Sequence, residues 1–160
     1  MNLNYFAFFL ISFVPLLIAI IWYRPNSFML KWTKNEVVNP LTLSPIKAGI
    51  AFLLSVFLVY GYMNLVIHQL GFYELFFTDI MLGNEASKEV VDTFLAKYGQ
   101  KHRHFGHGVL HGAINTFLFI GPFLGFSILL ERKKKGYLLL HFSYWLVTSM
   151  VIGGLISAFI

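Results

Sequence analysis

The sequence predicts an all-α fold, an integral membrane four-helix bundle with one longer extracytoplasmic loop that holds short amphipathic helices. Three observations carry this. Of 160 residues, 58% are hydrophobic and only 12% charged, more apolar surface than a water-soluble core of this size can absorb. Four apolar stretches, at about residues 3–23, 48–67, 105–130 and 137–160, each reach the roughly 20 residues that a helix needs to cross about 30 Å of hydrocarbon. The 12 Lys and Arg, against 7 Asp and Glu, gather between these stretches rather than on one amphipathic face. That placement reads as a topology signal and argues against a nucleic-acid partner. Residues 1–160 are therefore expected to form a single transmembrane domain.

The first span carries no charge between Leu3 and Tyr23, and Trp22, Tyr23 and Arg24 close it as an interfacial anchor. Pro15 is a kink site. A secretory signal is the competing reading, but no Lys or Arg precedes the apolar run and no small-residue cleavage pattern follows it, so the helix is expected in the mature protein. The second span has Ser44 as N-cap and Pro45 at the favoured first position, and His68 closes it. The third and fourth spans are separated only by a turn from Glu131 to Gly136, which predicts an antiparallel hairpin.

Orientation follows from the basic residues. Arg24, Lys31, Lys34, Lys47, Arg132, Lys133, Lys134 and Lys135 fall on one side, against Lys88, Lys97, Lys101 and Arg103 in a longer, more acidic loop on the other. The positive-inside rule then places both termini outside. The loop, residues 71–103, is too long for a bare connection. Asn84 can cap a helix that begins with Glu85, carries the stripe Val90, Val91, Phe94, Leu95 and Tyr98, and stops at Gly99. The earlier piece, Phe72 to Leu82, suits an interfacial segment, as do Phe28, Met29 and Trp32 on the cytoplasmic side.

Ionisable groups inside spans normally face the bundle interior, because hydrocarbon penalises them. On the third span His104, His107, His111 and Asn115 recur at three- and four-residue steps and so share an arc of about 80°. Gly108 and Gly112 lie beside that arc as a small-residue pair that admits another helix backbone, with the second span as the expected neighbour. The outer end of that span offers Asn64 and His68 at the same depth. A cluster of His68, His104, His107 and His111 is thus geometrically open to three functional readings. It could bind a transition metal, since an i, i+4 His pair chelates one ion; it could hold bis-histidine haem between helices; or it could line a proton or solute pathway. The bland reading sets the same histidines at the headgroup boundary, bonded to water, lipid or helix ends, and it is the default: no cofactor.

His141 lies at the other end of the bundle, about 15 Å from His111 along the membrane normal, and belongs to no common site. Tyr137 and Glu131 are its expected partners, with Glu131 also balancing the basic run or Arg24. The basic turns are expected to meet anionic lipid headgroups. There is no Cys, which excludes disulfides and thiolate chemistry. No Gly-x-Ser-x-Gly elbow, His-Glu-x-x-His or phosphate-binding glycine loop occurs. Gly153 and Ser157 give the fourth span a small-residue face suited to packing or to a homo-oligomer.

Asn4-Tyr5-Phe6-Ala7 opening the first span, Trp22-Tyr23-Arg24-Pro25 closing it, Trp32, and later His107-Gly108, Gly112, Pro122, Glu131-Arg132, Tyr137 and Tyr144-Trp145 together form a pattern. In it the chain resembles a family of uncharacterised bacterial four-helix membrane proteins, the one catalogued as domain of unknown function seventeen sixty-one. The resemblance covers most of the chain apart from the middle loop, which is longer here than is usual in that family. It implies a multi-pass protein of a bacterial inner membrane and supplies no catalytic residue. The expectation is a non-enzymatic structural or interaction component of that membrane; the alternatives are a histidine-based metal- or haem-binding protein and a small transporter or sensor.

Overall fold

The structure, a computed structural model, describes residues 3–33 and 39–160; Lys34, counted above among the basic residues, lies outside them. The described residues form helices joined by short turns, with no strands among them, and four of the helices, Tyr5–Trp22, Pro45–Val66, Phe105–Glu131 and Lys135–Phe159, are long and apolar enough to cross a membrane.

The first span consists of α1 (Tyr5–Ile11), capped by the Asn4 side chain, and α2 (Val14–Trp22). The break lies just ahead of Pro15, whose missing N–H and bulky ring interrupt the ladder at the preceding turn. A short α3 (Phe28–Thr33) follows. Ser44 caps α4 (Pro45–Val66), its hydroxyl accepting from Lys47 N–H. The loop expected to hold short helices contains α5 (His68–Leu75), α6 (Phe77–Met81) and α7 (Glu85–Tyr98). Asn84 caps α7 as expected, with Oδ1 accepting from Ala86 and Ser87 N–H. Within the expected stripe Val91 is buried, whereas Val90 is exposed.

The third span is α8 (Phe105–Asn115), a π-helical turn at Thr116–Ile120, and α9 (Gly121–Glu131). Pro122 explains the wide turn: it donates no hydrogen bond and crowds the carbonyl of Leu118, so the ladder shifts locally to the longer i→i+5 bond. The connection to α10 (Lys135–Phe159) is tighter than the turn expected to end at Gly136. Arg132 takes the left-handed conformation at φ 55°, and Gly136 already lies inside α10.

Large side chains such as Phe117, Phe123, Phe126, Leu129 and Leu130 point outward, the arrangement that lipid rather than water rewards. The buried core is small and sits where α1, α4 and α10 converge, around Ile11, Val59, Tyr62, Val66, Ile152 and Ile156. The closest helix approach is between α8 and the C-terminal half of α10. A Cβ at Gly108 would overlap the Gly153 carbonyl, and one at Gly112 would overlap the Ser149 carbonyl. The expected neighbour of the Gly108/Gly112 pair was α4. It is α10 instead, because close backbone contact needs small residues on both helices, and α10 brings Ser149, Gly153, Gly154 and Ser157, all buried. The Gly153/Ser157 face is therefore occupied inside this chain.

Candidate metal centre

Two backbone events bring the histidines together. Helix α4 ends when Ile67 leaves the helical region at φ −94° and ψ 87°, so the chain restarts with His68 as the first residue of α5 rather than the last of the second span. At the other side His104 adopts an extended φ of −146° and caps α8. Its Nδ1 accepts from the His107 N–H at 3.2 Å. His107 and His111 then stand one turn apart on a single face of α8.

His68 Nε2 lies 3.3 Å from His107 Nε2. The ring centroids are 4.5 Å apart for His107 and His111, 4.9 Å for His68 and His111, and 5.2 Å for His68 and His107, all edge to face. One ring nitrogen from each of the three lies within 4.8 Å of the other two. His68 is exposed and the other two are partly buried. His68 and His107 share a hydrogen bond in which one ring nitrogen donates and the other accepts. His104, expected as a fourth member, stands apart from this trio as the helix cap, its ring 5.9 Å from that of His107. Its Nδ1 is already engaged with the backbone, which satisfies one of the otherwise orphaned N–H groups of the helix start.

Two residues that the sequence did not single out hold the trio in place. Gln69 is buried, and its Nε2 donates to Tyr98 O at 3.1 Å and Lys101 O at 3.0 Å, tying α5 to the end of α7. Phe72 stacks on Phe94 beside it at 3.8 Å. His102 has a left-handed φ of 65° and stacks on His107 with centroids 5.0 Å apart. The Ser157 hydroxyl donates to His102 O at 3.1 Å, and Arg103 Nε donates to Ser157 O at 3.3 Å. Burial lowers the Arg103 pKa from its ordinary value, yet a guanidinium stays protonated in proteins. Neither Gln69 nor His102 has a sequence signal, because their partners lie 29 to 55 residues away in the chain.

The remaining sequence candidates fall elsewhere. Asn64 donates to Tyr60 O one turn back and faces a separate groove lined by Leu3, Tyr73 and Glu74. Asn115 Nδ2 donates to the buried Tyr62 hydroxyl, and Thr116 Oγ1 donates to Gly112 O. At the opposite end His141 Nδ1 is 2.8 Å from the Tyr23 hydroxyl, a partner not anticipated, with the expected Tyr137 ring 4.1 Å away. Glu131 pairs with Lys133 at 3.6 Å.

These features define a helical protein with four helices long and apolar enough to cross a membrane, a histidine trio at one end and a basic turn at the other. The chain belongs to the family described as Protein of unknown function (DUF1761), whose model matches residues 6–157. No curated protein and no solved structure matches it.

Proposed function

We propose that this protein binds a divalent transition metal through His68, His107 and His111, as a non-enzymatic component of a bacterial inner membrane. The observation that carries the reading is the 3.3 Å separation of His68 Nε2 and His107 Nε2. Two nitrogens on a tetrahedral ion with bonds of about 2.0–2.1 Å stand about 3.3–3.4 Å apart, so this pair already has ligand spacing. The third nitrogen, within 4.8 Å, closes by rotation about the soft terminal torsion of the imidazole. Neutral imidazole suits zinc, copper and nickel. Haem fits poorly, because bis-histidine ligation needs a flat slot between opposed rings, and these rings meet edge to face.

The excess of basic residues at the opposite end, including Arg24, Lys31, Lys47 and Arg132 to Lys135, supports an orientation with the trio and both termini outside the cytoplasm and the basic turn against anionic headgroups.

The test is zinc titration of detergent-purified protein by calorimetry and elemental analysis, with an ultraviolet-visible spectrum for haem. The wild type and His141→Ala are expected to bind one equivalent, while His68→Ala, His107→Ala and His111→Ala lose it with unchanged far-ultraviolet dichroism. No binding by the wild type, or equal loss in His141→Ala, overturns the reading.

A further inference from the structure

We propose that the bound metal recruits a small oxyanion, a carboxylate or phosphate group, into the cavity beside His68, where the Lys101 ammonium holds its other side. This rests on the metal reading above and names the ligand class of the same site. The cavity has a volume of about 330 Å³ and is lined by His68, Gln69, Phe94, Tyr98, Lys101 and His102. His68 thus belongs both to the trio and to the cavity wall, so a ligand held in this space would stand beside the ion that the trio would bind.

Charge argues for an anion there. Three neutral imidazoles cancel none of a dication's charge, and no Asp or Glu joins the group among the described residues. The surroundings add positive field. Arg103 lies against Ser157, and His107 sits in the first turn of α8, where the helix dipole is positive. Among the described residues Lys101 has no carboxylate partner, since the ion pairs there are Lys88 with Glu85 and Lys133 with Glu131. A cation alone is poorly placed in such a field, and an oxyanion on its open position neutralises both the ion and Lys101. The cavity wall also carries the left-handed backbone of His102, fastened by Ser157. Strain of this kind persists where the surrounding structure holds it, and it concentrates at ligand sites.

The experiment uses the full chain loaded with cobalt(II) in phospholipid-free detergent, with cobalt content measured in every sample. Inorganic phosphate and acetate are titrated while the visible cobalt bands are followed, and the same protein is examined in nanodiscs of phosphatidylcholine or phosphatidylglycerol. A saturable band shift that is about tenfold weaker in Lys101→Gln supports the proposal, that factor matching one charge-assisted hydrogen bond. A shift already present in nanodiscs, and insensitive to added phosphate, assigns the oxyanion to a lipid headgroup. Metal-loaded protein whose bands respond to neither phosphate, acetate nor lipid overturns the proposal and leaves the metal reading standing. So does a Lys101→Gln titration identical to wild type. Failure to take up cobalt overturns the metal reading and this inference with it.

Discussion

Replacing Gly108 with Ala adds one methyl group at the tightest point of the molecule, and the structure sets its cost against an internal control. In an open helical position Gly→Ala is favourable by about 0.8–1 kcal/mol, because Ala loses less backbone entropy. Gly125 is such a position: a Cβ there meets nothing within 4 Å. At Gly108 the same Cβ overlaps the Gly153 carbonyl and comes within 2.8 Å of the Gly154 nitrogen. These are backbone atoms, so relief requires α8 and α10 to part until contacts reach the ordinary range, which starts at 3.4 Å. Even the first ~0.5–1 Å of that parting forfeits about a quarter to a half of each dispersion contact along the seam. In a membrane, van der Waals packing is the main force between helices. Overpacking of this kind costs about 1–3 kcal/mol. Gly108→Ala is therefore expected to destabilise by about 1–3 kcal/mol while Gly125→Ala stabilises by up to about 1 kcal/mol. The assay is reversible unfolding in mixed micelles by dodecyl sulfate titration, followed by far-ultraviolet dichroism. Equal midpoints for the two variants would refute the seam as the organising contact. Because His107 and His111 ride on α8, Gly108→Ala should also weaken zinc binding, and Gly125→Ala should not.

Other expectations can be checked in the same preparations. Protons compete with the metal for imidazole nitrogens, so zinc affinity should fall as the solution is acidified, measured by competition with a chelator. Gln69→Leu removes the side-chain donor from the carbonyls of Lys101 and Tyr98, of which Tyr98 keeps the Lys101 N–H. Local stability should fall by about 1–3 kcal/mol, seen as faster hydrogen exchange in α7 with α10 unaffected. Tyr62→Phe strips the partner from the Asn115 amide and should cost about 1–3 kcal/mol in the dodecyl sulfate titration. Tyr60→Phe, on the exposed side of α4, should be near neutral there.

Much of the site was legible locally. The His107/His111 pair follows from helical periodicity alone, and Asn84 and Ser44 announce their helices by cap chemistry that acts within three residues. The pairing of His68 with that face was within reach, because helix length and topology place both at one end of the bundle. Two assignments went differently for local reasons of another kind. His104 lies on the same helical arc, but it falls one residue before the helix begins, and there its ring does more as an acceptor for the His107 N–H than as a ligand. Gly136 looked like a turn residue, yet Arg132 took the left-handed position instead, leaving Gly136 free to join the helix.

By itself the sequence determined the all-helical class, the four apolar spans, the distribution of basic residues and the histidine-bearing face of the third span. Each of these depends on composition or on a period of a few residues, and nothing distant can change it. Only the tertiary structure decided that α8 packs on α10 rather than α4, that Ser157 fastens His102 across 55 residues, and that Gln69 ties α5 to α7. Those outcomes depend on which small residues meet across an interface and which buried carbonyls need a donor. Such requirements exist only after the chain has brought its distant segments together.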